Sequence, residues 1–140
     1  MTPRDHRTIE TAIRAIHRTT GLDARVPRAR AGRDGGGGRT VLEFENGSRK
    51  YRFAAEVKTA DRFETPAMVK AGRKDLRGRP LLVAPYITRE MAERCRGLDL
   101  PFIDMAGNAY LKGPGLLIYV TGMPRPAELR QDRFRALNPA

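Results

Sequence analysis

The segment that most constrains the fold of this chain is residues 51–58, in which apolar and polar side chains alternate. Successive side chains of a β-strand point to opposite faces, so this segment predicts a strand with one face in a core. The apolar face carries Tyr51, Phe53, Ala55 and Val57. The opposite face ends in Glu56 and Lys58, an acid and a base that lie side by side. This polar pair at the end of a half-buried strand is the first candidate site.

Glu56 and Lys58 have two interpretations. In the functional one, the carboxylate holds a divalent cation next to a phosphate, and the ammonium orients a water or offsets developing negative charge. In the ordinary one, the two side chains form a solvated pair near a strand end. So short a motif recurs by chance, and its neighbours must decide between these interpretations.

The chain is strongly basic. Among its 140 residues, 27 Lys and Arg outnumber 16 Asp and Glu, the formal net charge is +11, and 22 of the basic residues are Arg. Because Arg can grip a phosphate with two parallel hydrogen bonds, this composition predicts a polyanionic partner, with DNA as the leading candidate. Arginine-rich coding bias is the alternative that needs no function. A membrane partner is not expected, because no amphipathic basic helix with large apolar residues stands out.

Cysteine and histidine usage argues against a disulfide-stabilised protein and against a zinc-binding one. Cys95 is the only cysteine, so no disulfide can form within the chain. It falls in a helical pattern and is interpreted as a packing residue. The histidines, His6 and His17, lie in the first predicted helix, and no Cys/His cluster has zinc spacing. With no signal peptide and no apolar run of membrane-spanning length, we expect a cytoplasmic protein.

The order of predicted elements indicates an α/β fold. Thr2 as N-cap, Pro3 at the first helical position and Gly21 as a stop delimit a helix, and its apolar stripe includes Ile9 and Ile16. Asn46-Gly47 predicts a hairpin turn that leads into the 51–58 strand. Further strands are predicted at residues 22–26, 40–44, 80–84, 101–104, 109–111 and 116–120, and further helices at 65–75 and 88–96. Residues 28–39 form a basic, glycine-rich loop.

A hairpin followed by strand–helix–strand crossovers predicts a mixed central β-sheet flanked by helices. We expect one nucleic-acid-binding domain over residues 1–122 and a basic C-terminal tail over residues 123–140. Asp104 and Asn108, on either side of Gly107, are either a polar patch at a strand end or a turn whose side chains bond the local backbone; the turn is favoured.

The order helix, strand, hairpin ending in Glu56-Val57-Lys58, helix and strand resembles the core of the restriction-endonuclease-like superfamily. It is most similar to archaeal-type Holliday junction resolvases. Residues 80–87 (PLLVAPYI) and 102–110 (FIDMAGNAY) are similar to the endonuclease-like region of AbiEi-type regulators, the antitoxins of type IV toxin–antitoxin systems. The resemblance spans residues 40–122 and implies a restriction-endonuclease-like fold. It does not extend to the winged helix that follows in longer relatives.

The resemblance also implies a set of site residues. Glu10 matches the family's acid on the first helix, and Glu56 and Lys58 match its Glu-x-Lys. The middle acid, usually an Asp at the start of the preceding strand, is replaced by Arg39-Thr40, so Glu43 or Asp34 would have to substitute. The implied catalytic set is therefore Glu10, Glu43, Glu56 and Lys58, with Mg²⁺ held by Glu56 and Glu10. Losing one carboxylate should weaken that metal site.

These observations lead to three hypotheses of function. The first is a DNA-binding protein of low sequence specificity on a nuclease-like fold. The second is an active, Mg²⁺-dependent, structure-specific endonuclease. The third is an antitoxin or protein-interaction module with a toxin partner. Resolvase-like relatives also imply a homodimer. The residues expected to contact phosphates are Arg28, Arg30, Arg33, Arg39, Arg52, Lys70, Arg73 and Lys74.

Overall fold

A computed structural model describes residues 1–27, 39–72, 78–127 and 129. The helices are α1 (Pro3–Thr20), α2 (Thr65–Lys70) and α3 (Arg89–Gly97). The strands are β1 (Asp23–Arg25), β2 (Arg39–Asn46), β3 (Arg49–Val57), β4 (Arg79–Ala84), β5 (Phe102–Asp104), β6 (Ala109–Gly113) and β7 (Leu116–Val120). The predicted 51–58 strand is thus most of β3.

The strands form one seven-stranded sheet in chain order, β1 to β7. Strands β3, β4 and β5 are parallel to one another, and every other neighbouring pair is antiparallel. A parallel connection needs a crossover, and α2 and α3 occur in the β3–β4 and β4–β5 crossovers. The predicted mixed α/β sheet with flanking helices is confirmed.

The hairpin turn lies one residue later than predicted. Asn46 is still in β2 and pairs with Arg49, so Gly47 and Ser48 form the two-residue loop. Gly47 has φ +64°, and a positive φ at the first loop position is what a tight hairpin loop requires. Moving a two-residue turn by one position changes the pairing register by two residues. The register that results places Arg39 opposite Glu56.

Helix α1 begins and ends where the sequence predicts. The Thr2 side chain accepts a hydrogen bond from the Asp5 backbone N–H, and the Asp5 carboxylate accepts one from the Thr2 backbone N–H. This capping box satisfies two N–H groups that lack partners within the helix. At the other end Gly21 takes φ +80° and closes the helix. Local sequence therefore fixes both ends of α1.

Two apolar clusters cover the two faces of the sheet. One contains Leu81 and Val83 of β4 together with α1, and the other contains Leu82 and Ala84 of β4 together with α2 and α3. All four side chains are fully buried. Since burying a Leu or Val side chain stabilises a protein by about 1.5–3 kcal/mol, β4 is central to both clusters. This agrees with its nearly continuous apolar run.

Asp104 and Asn108 form a buried turn after β5. The Asp104 carboxylate accepts hydrogen bonds from the backbone N–H groups of Ile87, Ala106 and Asn108 and from Asn108 Nδ2, at 2.7–2.9 Å. Asn108 Oδ1 accepts one from the Met123 backbone N–H at 3.0 Å. Burial raises the pKa of the Asp104 carboxyl despite these bonds. The interpretation of this segment as a turn is confirmed.

Gly107 in that turn fixes the position of α1. Its φ is +98°, and a Cβ built on it would lie 2.4 Å from Thr19 Cγ2 and 3.2 Å from the Ala15 carbonyl oxygen. Thr19 Oγ1 donates a hydrogen bond of 2.8 Å to the Gly107 carbonyl. Only glycine combines this backbone conformation with so close an approach.

Several other predictions can be located. The helix predicted over residues 65–75 ends earlier, at Lys70, because Ala71 and Gly72 lie beyond α2, and residues 73–77 are outside the described part of the chain. Residues 28–38 of the predicted glycine-rich loop are outside it as well, and Arg39, the last residue of that predicted loop, is the first residue of β2. Cys95 is buried, and burial raises the pKa of its thiol to about 12, which agrees with a packing role. None of the described helices has the length and apolar character to cross a bilayer.

Candidate functional site

Glu56 of β3 is paired with Arg39, the first residue of β2. Arg39 Nε donates to Glu56 Oε1 at 3.1 Å, and the two side chains are 8% and 19% exposed. Arg39 Nη2 also lies 3.5 Å from the Val69 carbonyl of α2. Arg39 is thus at the start of β2, which is the position where the family resemblance implies the middle acid.

Lys58 approaches the same carboxylate from the other side. Its Nζ lies 3.8 Å from Glu56 Oε2, and its side chain is 55% exposed. Glu56 is therefore held between a buried guanidinium and an exposed ammonium. Two positive charges within 4 Å already satisfy this carboxylate, and they oppose the approach of a divalent cation.

Glu43 lies further along the same face and is engaged by two arginines. It is 2% exposed, its Oε1 accepts from Arg25 Nη2 at 2.9 Å, and its Oε2 accepts from Arg52 Nε at 2.8 Å. Hydrogen bonds from Arg52 and Arg25 hold the pKa of the Glu43 carboxyl below its usual range. Along the strand it is four residues, about 13 Å, from the position opposite Glu56. Glu43 therefore does not stand in for the missing acid.

Glu10 is exposed on α1, which packs on the opposite face of the sheet from Glu56. Val57 of β3 packs against the α1 cluster, and alternation along the strand directs Glu56 to the other face. Among the described residues no group of three or more His, Cys, Asp or Glu side chains could hold a metal ion. The described part of the chain does not fit the expected Mg²⁺ site; Asp34 lies outside it.

Of the predicted phosphate contacts, the structure describes three, and each of these is engaged within the protein. Arg39 is in the interior, Arg52 is half-exposed and tied to Glu43, and Lys70 is exposed on α2, where it donates to the Leu98 carbonyl. The remaining candidates, Arg28, Arg30, Arg33, Arg73 and Lys74, lie outside the described residues.

Sequence reasoning missed a basic surface on α1, which we call the arginine stripe: Arg4, Arg7, Arg14 and Arg18. All four side chains are exposed. At 3.6 residues per turn they follow one line along the exposed side of the helix, beside its buried face, over about 21 Å. Their spacing, with Thr11 completing the line, was readable from the sequence. The signal that identifies the stripe is helical periodicity, which the charge-rich loops do not show.

The arginines of the stripe are available for a partner. Arg14 donates to Thr11 Oγ1 at 3.3 Å, and no ion pair joins any of the four to another described residue. The nearby acid Asp5 is used by the capping box, and Glu10 forms no ion pair in the described structure. Four guanidinium groups on one helix are thus exposed and form no ion pair with another described residue.

The stripe leads into a cleft of about 700 Å³ that Arg4 helps to line. The segments after β3 and β4 form part of the wall, through Thr59–Asp61 and Pro85–Tyr86, and the first turn of α3 forms another part. The cleft is therefore at the carboxyl ends of parallel strands, where open α/β sheets commonly bind ligands. Its volume is within the usual range for ligand sites.

Two aromatic rings in the cleft are each covered on one face by an arginine. Arg94 Cζ lies 3.8 Å from the Phe63 ring centroid, and Arg125 Cζ lies 4.4 Å from that of Tyr86. Tyr86 is further fixed by a 2.6 Å hydrogen bond from its hydroxyl to the Met123 carbonyl. Phe63 is 68% exposed, so its ring remains accessible. Arg125 and Met123 belong to the predicted C-terminal tail, and both contact the domain.

No protein-family model, curated protein or solved structure gives a significant match to this chain.

Proposed function

We propose that this protein binds DNA through its phosphate backbone, with low sequence specificity, on a restriction-endonuclease-like framework that does not cut. The single observation that carries the proposal is the arginine stripe. Guanidinium groups grip phosphate oxygens in two parallel hydrogen bonds, and arginines clustered along one helix are a recognised footprint of nucleic-acid binding.

The geometry of α1 favours phosphate contact over base readout. Its 21 Å line of charge is long enough to follow a strand past several phosphates, since duplex DNA rises 3.4 Å per nucleotide of each strand. The opposite side of α1 is anchored in the core through Ile9, Ala12 and Ile16, so the stripe is presented on a fixed support. Because phosphate contacts carry no sequence information directly, we expect low sequence specificity.

The order of elements supports the restriction-endonuclease-like part of the proposal. A helix is followed by three antiparallel strands, a helix and a parallel strand, as the family resemblance implies. Glu56 and Lys58 stand at the end of the third strand. We propose binding without cleavage because Arg39 replaces the middle acid. Its positively charged guanidinium lies beside Glu56, the residue expected to hold the metal cation.

A protein-interaction role is a second candidate, and one feature favours it. Strand β7 is an edge of the sheet, and its five residues, Leu-Leu-Ile-Tyr-Val, carry no charge. Leu117 within it is 71% exposed. The other edge, β1, is only three residues long and includes Asp23 and Arg25. Long apolar edges invite strand pairing, so β7 is suited to a second copy of this chain or to a toxin-like partner.

The test compares two variants of equal net charge. The stripe variant carries Arg4→Gln, Arg7→Gln, Arg14→Gln and Arg18→Gln. The control variant carries Lys50→Gln, Arg79→Gln, Arg96→Gln and Lys112→Gln, all at exposed positions outside α1. Gel shifts use duplex, single-stranded and four-way DNA, with and without Mg²⁺. We expect the wild type and the control variant to bind, the stripe variant to bind all three DNAs more weakly, and no DNA to be cleaved.

Equal weakening by the two variants would mean that net charge, and not the stripe, drives binding. Metal-dependent cleavage of the four-way DNA would overturn the non-cutting part of the proposal. Absence of binding at low salt would leave the protein-interaction role as the better candidate.

A further inference from the structure

The cleft next to Arg4 has a composition that the phosphate-binding stripe does not explain. Alongside the basic groups it exposes apolar and aromatic surface from Phe63, Tyr86, Met91 and Leu129. A phosphate backbone alone makes no use of such surface. The cleft therefore fits a ligand that combines negative charge with a flat, apolar face.

Phe63 is the group most suited to stacking. Its ring is 68% exposed, and Arg94 covers one face at 3.8 Å, so a ligand ring can stack on the open face. The Arg94 guanidinium holds the phenyl ring in place through a cation–π contact and a 3.4 Å hydrogen bond from Nε to the Phe63 carbonyl. A stacking platform fixed in this way loses little side-chain freedom on binding.

Polar groups in the cleft match the remaining parts of a nucleotide. Asp61 and Glu90 offer carboxylate acceptors for the N–H donors of a base, such as thymine N3–H, and Thr59 and Thr88 offer hydroxyls. Arg4 and Arg125 add positive charge for a phosphate. Among the described lining residues the arginines outnumber the acids, so the cleft favours an anion over a neutral aromatic molecule.

We propose that this cleft receives one unpaired base of a single-stranded nucleic acid whose phosphates lie along the arginine stripe. The proposal rests on the DNA-binding function above and specifies its substrate class as strands with unpaired bases. Arg4 belongs to both surfaces, so a strand that follows the stripe towards the N-terminal end of α1 reaches the cleft. A base within a duplex is stacked on its neighbours and cannot enter.

The experiment uses two single-stranded probes with the same number of phosphates, an oligothymidylate and an abasic oligomer of equal length. Fluorescence anisotropy with the full chain should show tighter binding of the oligothymidylate by about tenfold, as is typical of one stacked base. Phe63→Ala should abolish that preference, and Phe63→Tyr should retain it. Leu117→Ala, which removes a similarly exposed apolar side chain on β7, is the control and should retain it as well.

The outcomes distinguish failure of this inference alone from failure of the proposed function. If the wild type binds both probes equally and in a salt-dependent way, phosphate binding stands and the base cleft is wrong. If neither probe binds, the proposed function fails with it. If Phe63→Ala weakens both probes to the same extent, Phe63 supports the backbone-binding surface and does not stack a base. An acidic, aromatic-rich peptide could also be added to the complex with the abasic probe. If it displaces that probe from the wild type but not from the Phe63→Ala variant, the cleft binds a protein ligand instead.

Discussion

Replacing Arg39 by Met tests whether the guanidinium is the internal partner of Glu56. Methionine replaces the apolar stem of the arginine side chain but removes the donors to Glu56 Oε1 and to the Val69 carbonyl. Breaking a buried ion pair by removing one partner costs 3–5 kcal/mol, and the 19% exposure of Glu56 lets water offset part of this. We expect Arg39→Met to lower the free energy of unfolding by about 3 kcal/mol.

Arg39→Met, Glu56→Gln and the double variant form a double-mutant cycle with the wild type. Glu56→Gln removes the charge that Arg39 Nε contacts at 3.1 Å inside the protein and should cost about 3 kcal/mol. The Arg39–Glu56 interaction is lost in each single variant and can be lost only once in the double variant, so we expect the double variant to lose about 4 kcal/mol instead of the additive 6, a coupling of about 2 kcal/mol. The contacts of Arg39 with α2 are lost in both Arg39→Met variants and cancel in the cycle.

The measurement is urea unfolding of the four proteins, followed by far-ultraviolet circular dichroism. A coupling below about 0.5 kcal/mol would mean that Arg39 and Glu56 are independent. In that case the argument that a guanidinium replaces the metal at this position would be wrong.

Three further predictions follow from other contacts. Gly107→Ala should lower the free energy of unfolding by about 2–4 kcal/mol, because an alanine at this position combines the strain of a positive φ with a clash against Thr19. Adding Thr19→Ser, which removes the clashing methyl group, should relieve part of that loss. Because the pKa of Glu43 is lowered in the folded state, its contribution to stability is complete above the ordinary glutamate pKa and is lost as pH falls through the folded-state pKa, so Glu43→Gln should flatten the acid limb of a stability–pH curve. In the presence of Mg²⁺, neither the wild type nor the Glu56→Ala variant should cleave four-way DNA. If the wild type cleaves this DNA and Glu56→Ala abolishes the cleavage, the proposal is refuted.

Much of the fold follows from local patterns in the sequence. The alternation around Phe53, the continuous apolar run of β4 and the capping signals of Thr2 and Gly21 depend on short-range periodicity and turn chemistry, which a sequence displays directly. The mixed sheet followed from the order of these elements. The turn at Asp104 was also predicted, since Asp and Asn side chains bond nearby backbone groups.

The candidate site was harder to predict because it depends on register and on which face each element presents. A hairpin loop misplaced by one residue puts Ala54, and not Glu56, opposite Arg39, so the ion pair could not be anticipated. Glu10 was expected near Glu56, but a helix position does not reveal which face of a sheet the helix covers. The arginine stripe is different: its spacing was visible, and only the loops drew attention away from it.

The central claim, that the arginine stripe binds the DNA backbone, is tested most directly by the salt dependence of binding. Each phosphate contact contributes about −0.9 to the slope of log K against log salt concentration on duplex DNA. If all four arginines contact phosphates, the stripe variant should have a slope shallower than that of the wild type by about 3.6, whereas the equally charged control variant should keep most of the wild-type slope. Identical slopes for the stripe variant and the wild type would contradict the account.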